Sequence, residues 1–134
     1  MPASDDSNGT LLNLLSQTTV GLVRREGPDL SARQLAIFLI CYLENEAQTV
    51  RGLAKQLNIS KPAVTRGLDR LMEFDLVRRK DDPLDRRSIL VQRTPIGHSL
   101  LRELRGMMKN AAAEAQRWVP AQSAGLTSSR RTSP

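Results

Sequence analysis

The sequence predicts a mainly α-helical fold that carries one small β-hairpin. Three observations support this prediction. Hydrophobic residues recur at helical spacing over most of the 134 residues. The core must be aliphatic, because 40% of the residues are hydrophobic and only 3% are aromatic, and such cores suit packed helices. Between residues 76 and 93 the pattern changes to two short strand-like runs around a polar turn.

The first two helices are recognised by their apolar spacing and their caps. The first is predicted to begin near Thr10 and to end before a Gly-Pro pair. Ser31 is positioned to cap the second helix, with Gln34 three residues later as the partner in a capping box. The run Leu35–Cys41 is apolar on every side, which predicts a helix at the centre of the domain.

A short third helix and a fourth helix follow, joined by a tight turn. Thr49 is positioned to cap the third helix, whose apolar residues fall on one stripe. The pair Asn58-Ile59 ends it, and Ser60 can cap the fourth helix, with Pro62 in the first turn, where proline is tolerated. Two helices joined in this way are predicted to form a helix-turn-helix.

The hairpin and the last helix complete the chain. Leu76–Lys80 and Arg87–Arg93 are predicted strands on either side of a polar turn that contains proline. Thr94-Pro95 is a helix start, and the last helix is predicted to continue to Trp118. This order of elements predicts a winged helix-turn-helix with additional N- and C-terminal helices.

Those additional helices are predicted to form a homodimer. A lone helix with an apolar stripe must pack on something, and the last helix extends beyond the compact middle of the chain. The residues predicted at the dimer interface are Leu11, Leu12, Leu15, Leu100, Leu104, Met107, Ala111 and Trp118. The predicted segments are a disordered lead (1–9), a dimerisation helix (10–30), a winged helix-turn-helix DNA-binding domain (31–94), a long dimerisation helix (95–118) and a disordered tail (119–134).

The scarcity of cysteine and histidine excludes several kinds of chemistry. Cys41 cannot form an internal disulfide, and its apolar neighbours predict a buried side chain rather than a redox sensor. With His98 as the one histidine, neither a metal-ligand set nor a nucleophile with its base can be assembled. We therefore predict no catalysis, no metal and no cofactor. An apolar run long enough to cross a membrane and a signal peptide are both absent from the sequence, which predicts a cytoplasmic protein without membrane contact.

The distribution of charge favours a polyanionic partner. Residues 1–50 carry a net charge of −3, residues 51–93 carry +5 and residues 94–134 carry +4. The exposed start of the fourth helix fits the width of the major groove of DNA. The predicted DNA-binding residues are Thr49, Lys55, Ser60, Lys61, Pro62, Ala63, Thr65, Arg66, Arg70, Asp85, Arg86 and Arg87.

Particular roles follow from the chemistry of these side chains. Arg66 is predicted to contact guanine, and either Ala63 or the methyl group of Thr65 is predicted to contact thymine. Arg86 or Arg87 is predicted to enter the minor groove, and the sequence leaves open which of the two does so. The alternatives are an ordinary solvated face and a winged helix used for contact with another protein.

Residues 49–101 resemble the MarR family of winged-helix regulators. The matching residues are Leu53-Ala54, Val64-Thr65-Arg66, Leu71, Leu76–Arg79, Asp82-Pro83, Asp85–Ser88, Thr94 and Gly97. The resemblance implies a homodimer that binds a pseudo-palindromic DNA operator, with repression as the expected role. It also implies an effector that is a small aromatic or phenolic acid, and an aspartate, here Asp85, that orients an arginine of the wing.

Overall fold

The computed structural model describes the backbone of residues 2–132 and the side chains of residues 9–114. Over the described residues, five helices and a two-stranded antiparallel sheet confirm the predicted fold class. The elements are α1 (Pro2–Arg24), α2 (Ala32–Leu43), α3 (Val50–Leu57), α4 (Lys61–Glu73), β1 (Val77–Asp81), β2 (Ile89–Arg93) and α5 (Pro95–Thr132). The chain divides into a terminal unit (Met1–Glu26 with Glu103–Pro134) and a central unit (Gly27–Arg102).

The outer bounds of the two terminal helices differ from the predicted ones. Helix α1 begins at Pro2 rather than near Thr10, and α5 continues to Thr132 rather than Trp118. Proline is favoured in the first turn of a helix, and a proline further along can kink a helix without ending it. The disorder predicted for residues 1–9 and 119–134 stays a prediction, and the contact predicted for Trp118 concerns a side chain outside the described residues.

The core of the central unit is built from apolar residues of α2, α3 and α4. The side chains of Ile37, Phe38, Leu53, Val64 and Leu71 are fully buried. They come from three different helices because each helix has one apolar face that must be covered. The hairpin closes the unit, since α2 also contacts β2 and α4 also contacts β1.

Helix α2 is less enclosed than its sequence predicts. Phe38 and Cys41 are buried, but Leu39 and Ile40 are half-buried and Leu43 is 60% exposed. Because α4 and β2 are its principal neighbours, they cover one side of the helix and leave the other side partly open. The expectation of a helix without any solvent face is therefore wrong.

The helix caps predicted from the sequence are confirmed. Ser31 and Gln34 form a complete capping box at the start of α2. The hydroxyl of Thr49 accepts a hydrogen bond from the backbone of Gly52 at 3.0 Å, and that of Ser60 accepts one from Ala63 at 3.2 Å. These bonds satisfy backbone N–H groups that the first turn of a helix leaves without partners. They also fix where α3 and α4 begin.

Tyr42 joins α2 to the start of α5 through buried hydrogen bonds. Its hydroxyl donates to the carbonyl oxygen of Leu76 at 2.6 Å and accepts from the backbone N–H of Thr94 at 2.9 Å. The hydroxyl of Thr94 in turn donates to the carbonyl of Asp75 and accepts from the N–H of Gly97 at 2.9 Å. The threonine therefore caps α5 while it holds the segment that precedes β1.

The hairpin is attached to the helices at two further points. The two strands pair from Val77 with Arg93 to Asp81 with Ile89. On the far edge of β2, the N–H of Val91 donates to the carbonyl of Gln48 at 2.9 Å. The guanidinium of Arg93 donates to the carbonyl oxygens of Cys41 and Glu44 at the end of α2. A cation is favourable there because it faces the negative end of the helix dipole.

In the terminal unit, the apolar stripe of α5 is already buried within the single chain. Leu104 and Ala111 are buried, and Met107 approaches Gly21 of α1 so closely that a Cβ there would lie 3.0 Å from the methionine sulfur. Arg25 and Glu103 form an ion pair at 2.8 Å between the same two helices. These residues are covered within the single chain, and their predicted contact with a partner subunit stays a prediction.

The exposed apolar surface of the terminal unit lies on α1 instead. Leu11, Leu12 and Leu15 are each more than 60% exposed, and Val23 is 65% exposed. An amphipathic helix normally turns its apolar residues away from water. The predicted interface residues whose side chains are described thus differ: those of α1 are exposed, Met107 of α5 is half-buried, and the other three of α5, Leu100, Leu104 and Ala111, are buried in the single chain.

Candidate nucleic-acid interface

The candidate interface begins with the exposed face of α4. Lys61, Pro62, Arg66 and Arg70 are exposed, whereas Thr65 is half-buried. These residues lie opposite the side that packs on α2 and α3, as the apolar spacing of the helix requires. The helix therefore presents cations and short polar side chains to solvent from its first turn onward.

Ala63 is the exception among the predicted contacts of this helix. Its side chain is only 6% exposed, and it belongs to the buried face with Val64 and Gly67. Little of the Ala63 side chain is therefore accessible for the predicted contact with a thymine methyl, which stays a prediction. The alternative residue for this contact, Thr65, is half-buried.

A cleft of about 500 Å³ lies between the start of α3, the start of α4 and the tip of the hairpin. Its lining is Thr49, Val50, Arg51, Lys61, Thr65, Asp85, Arg87, Ser88 and Ile89. The cleft thus brings together helix and hairpin residues that the sequence predicted separately. It includes Arg87 but not Arg86, which separates two arginines that the sequence could not distinguish.

Arg51 is a cation of this cleft that the predicted set omitted. It is the second residue of α3, it is exposed, and it lines the cleft together with Thr49. Its position on the polar side of α3 was readable from the sequence. The sequence feature that could have added Arg51 to the predicted DNA-binding residues is its position four residues before Lys55, which places both side chains on the same helix face.

The tip of the hairpin (residues 82–88) is shaped by two aspartates that bind backbone groups. Asp82 Oδ1 accepts from the N–H of Leu84 at 2.9 Å, and Asp85 Oδ1 accepts from the N–H of Arg87 at 3.0 Å. Aspartate favours turns because it can make such local bonds. Among the described side chains, no ion pair joins Asp85 to an arginine, and the orienting bond between Asp85 and a guanidinium stays a prediction.

Several cations near the interface are already neutralised within the chain. Arg78 pairs with Asp75 through two hydrogen bonds, and Arg79 pairs with Asp69 at 2.7 Å. Arg70 pairs with Glu73 at 2.9 Å, and its guanidinium lies over the ring of Phe74. Arg70 was predicted to contact DNA, but its guanidinium is held at the end of α4 by residues of the same helix.

Seven further cations, on α3, α4 and the hairpin, make neither an ion pair nor a side-chain hydrogen bond with the described residues. They are Arg51, Lys55, Lys61, Arg66, Lys80, Arg86 and Arg87. Four of the seven lie on α3 and α4, and the other three lie on the hairpin. A polyanion that approached this face would meet positive charge that is not compensated locally, which is the electrostatic requirement for binding nucleic acid.

Cys41 is buried, and its surroundings suppress its reactivity. Burial raises the pKa of its thiol to about 12, although the nearby Arg93 acts in the opposite direction. Only the thiolate is nucleophilic, and at pH 8 a thiol with that pKa is ionised to about one part in ten thousand. The predicted buried role of Cys41 is confirmed.

We expect Cys41 of the folded protein to react with iodoacetamide at pH 8 at least about a hundredfold more slowly than the thiol of the denatured chain. The folded state retains the proton up to its raised pKa, so the rate should increase with pH through the range where a free thiol has already levelled off. Mass spectrometry of the alkylated chain measures this. Equal rates with and without denaturant would contradict it.

Two further sequence expectations concern metals and membranes. Among the described residues there is no group of three or more His, Cys, Asp or Glu side chains arranged to hold a metal ion. Within the same part of the chain, none of the helices has the length and apolar character needed to cross a bilayer.

The central unit is a winged helix-turn-helix, in which α3 and α4 form the two-helix motif and β1 and β2 form the wing. Residues 30–89 match the MarR family model, which confirms the resemblance noted in the sequence. The part of the central unit that this model covers is thus similar in sequence to the MarR family.

Several solved structures have a similar fold. The transcriptional regulator Tm0710 from Thermotoga maritima is 18% identical, with 97% of this chain and 89% of that chain covered and a TM-score of 0.73. A mutant of MepR from S. aureus bound to an oligodeoxyribonucleotide is 18% identical, with 95% and 96% covered and a TM-score of 0.70. RV1404 from Mycobacterium tuberculosis is 20% identical, with 92% and 90% covered and a TM-score of 0.70. A search of curated protein sequences found no match.

Proposed function

We propose that this protein is a transcriptional regulator that binds duplex DNA in a sequence-specific manner. The observation that carries the proposal is the cleft in which Lys61 and Thr65 of α4 lie with Arg87 of the wing. One helix and one hairpin thereby present cations to the same side of the central unit. The MepR mutant of the same fold was solved with an oligodeoxyribonucleotide, which supports this choice of partner.

In the proposed complex, the N-terminal half of α4 lies in the major groove and the wing lies beside it. Arg66 is exposed and has no ion-pair partner among the described side chains, so its guanidinium is free to form two hydrogen bonds with a guanine. Thr65 supplies the methyl group for thymine. Arg87, on the cleft side of the tip, is the arginine proposed for the minor groove, where negative potential is strongest.

The remaining predicted contacts have supporting roles in this proposal. Thr49 and Ser60 use their hydroxyls as caps, so they position α3 and α4 rather than read bases. Lys55 and Lys61 are exposed cations suited to phosphates, and Arg86 is suited to the backbone beside the minor groove. Pro62 is exposed in the first turn of α4 and is available for apolar contact with a sugar.

We further propose that the regulator acts as a homodimer on a pseudo-palindromic operator. The exposed leucines of α1 supply an apolar face for a second copy of the chain. A two-fold dimer can place two copies of α4 about 34 Å apart, which is one turn of B-DNA. Repression of transcription, a cytoplasmic location and release by a small aromatic acid are further parts of the proposal, and they rest on the family.

The reading of bases is tested by comparing two arginines of the same helix. Arg66→Ala should weaken binding to a duplex selected from a random library by about 1–3 kcal/mol and relax the preference for one base pair. Arg70→Ala should have little effect, because Arg70 is held by Glu73 and Phe74. Fluorescence anisotropy with single-base variants of the duplex measures both.

The salt dependence of the wild-type protein distinguishes this function from a protein-binding winged helix. Binding that releases counterions from phosphates weakens steeply as salt is raised, so log Kd should rise linearly with log salt. A wild-type protein that binds no duplex at low ionic strength would refute the proposal. Equal losses for the two arginine variants would refute the assignment of Arg66 to base reading.

A further inference from the structure

A leucine stands at the tip of the wing with almost no protein around it. Leu84 is 95% exposed, more than any other large hydrophobic residue that the structure describes. Single exposed leucines are common on protein surfaces, so exposure by itself identifies nothing. The setting of Leu84 is what distinguishes it.

The backbone on both sides of Leu84 is held by hydrogen bonds. The N–H of Leu84 donates to Asp82 Oδ1 at 2.9 Å, and the N–H of Asp85 donates to the carbonyl of Asp82 at 3.3 Å. Pro83 restricts the backbone between them, since its ring fixes φ. The leucine is therefore presented at the tip by an ordered turn, and little backbone entropy remains to be lost when it contacts a partner.

Two arginines follow the leucine and are separated from it by Asp85. Arg86 and Arg87 are exposed and form no ion pair with the described side chains, and Arg87 lines the cleft next to α4. Leu84 is thus continuous with the proposed DNA-binding surface. The carboxylates of Asp82 and Asp85 are held by backbone N–H groups of the turn. An apolar tip followed in the chain by two cations without ion pairs matches the minor groove, whose walls are deoxyribose carbons and whose floor has negative potential.

We propose that Leu84 enters the minor groove of the bound duplex and packs against its deoxyribose walls. This inference rests on the proposed DNA-binding function and adds a contact to it. Arg87, three residues after Leu84, supplies electrostatic attraction to the groove, while the leucine displaces water from the sugars. Apolar side chains, leucine among them, act as wedges in the minor groove in other DNA-binding proteins, where they widen or kink it.

The test uses the full-length protein and the duplex that the wild type selects from a random library. Leu84→Ser should raise Kd about tenfold, because a partly buried leucine contributes on the order of 1.4 kcal/mol, which is a factor of ten. Leu84→Met should stay within about threefold of wild type, since its side chain is also long and apolar. Because Leu84 is exposed in the free protein, neither change should alter the unfolding temperature.

Salt dependence separates an apolar contact from a charged one. Leu84→Ser should leave the slope of log Kd against log salt unchanged, whereas Arg87→Ala should reduce it by about one per protomer. Leu43→Ser is the matched control, because Leu43 is exposed on α2 and does not line the cleft between α3, α4 and the hairpin tip. Hydroxyl-radical footprinting should show minor-groove protection by the wild type that decreases at the wing position with Leu84→Ser.

Each alternative gives a distinct result. If the wild type binds the duplex and Leu84→Ser binds it with the same Kd, this inference is overturned and the proposed function stands. If Leu84→Ser both weakens binding and reduces the slope of log Kd against log salt, the substitution acts through the arginines, and the inference is also overturned. Loss of self-association without loss of DNA binding would assign Leu84 to a contact between copies of the chain. A wild type that binds no duplex would remove both proposals.

Discussion

Gly97→Ala is expected to destabilise the protein by about 3 kcal/mol, the largest effect of any single substitution considered for stability. A Cβ at this position would stand 1.6 Å from the hydroxyl oxygen of Tyr42 and 2.5 Å from the carbonyl oxygen of Leu76. To make room, the tyrosine would have to leave the carbonyl and N–H groups that it bonds. Buried polar groups without partners would then add to the steric cost.

Gly106→Ala is the matched control, because it makes the same chemical change in the same helix. Nothing lies within 4 Å of a Cβ at Gly106. Alanine is favoured over glycine in a helix, so this variant should be more stable than wild type by about 0.5–1 kcal/mol. Urea denaturation followed by circular dichroism measures both variants. If Gly97→Ala were as stable as Gly106→Ala, the close approach of Tyr42 to α5 would be wrong.

Replacing both Leu12 and Leu15 of α1 with glutamate is expected to convert the proposed dimer into monomers. Each leucine is more than 60% exposed in the single chain, and burial in an interface would stabilise it by about 1.5–3 kcal/mol. The substitutions remove that contribution and place carboxylates where water would be excluded. Dimer dissociation should be favoured at least about a hundredfold, as measured by sedimentation equilibrium.

Leu43→Glu tests whether any loss of an exposed leucine has this effect. Leu43 is 60% exposed on α2 of the central unit, so its replacement should leave the oligomeric state unchanged. The monomeric α1 variant should also lose most of its affinity for a two-half-site duplex, because the two recognition helices would no longer bind as a unit. A wild-type protein that is monomeric at micromolar concentration would contradict the dimer proposal directly.

The order of elements and the start of each central helix were determined by the sequence. Ser31, Thr49 and Ser60 cap their helices through bonds to residues three positions away in the chain, so local sequence contains all the required information. The change of hydrophobic period after α4 located the hairpin for the same reason, because strand periodicity is a local property.

The tertiary structure decided which charged side chains form ion pairs. Arg79 forms an ion pair with Asp69, ten positions away in the chain. Two cations of α4 differ in the same respect, since Arg70 pairs with Glu73 whereas Arg66 pairs with no described carboxylate. An ion pair depends on distances of a few ångström between side chains. Arginines that are equivalent in the sequence therefore differ in the folded protein, because some are neutralised by an ion pair and others are free to contact a partner.

What the sequence by itself determined about this protein is its local structure: the caps, the turns, the period of each element and thereby the winged-helix class. Only the tertiary structure decided that Ala63 is covered, that Arg87 rather than Arg86 lines the cleft, and that Gly97 makes room for Tyr42. The physical reason is the distance along the chain between the residues that interact. Backbone hydrogen bonds within a helix or a turn involve neighbours in the chain, whereas burial and close packing depend on residues up to 55 positions apart, as Tyr42 and Gly97 are.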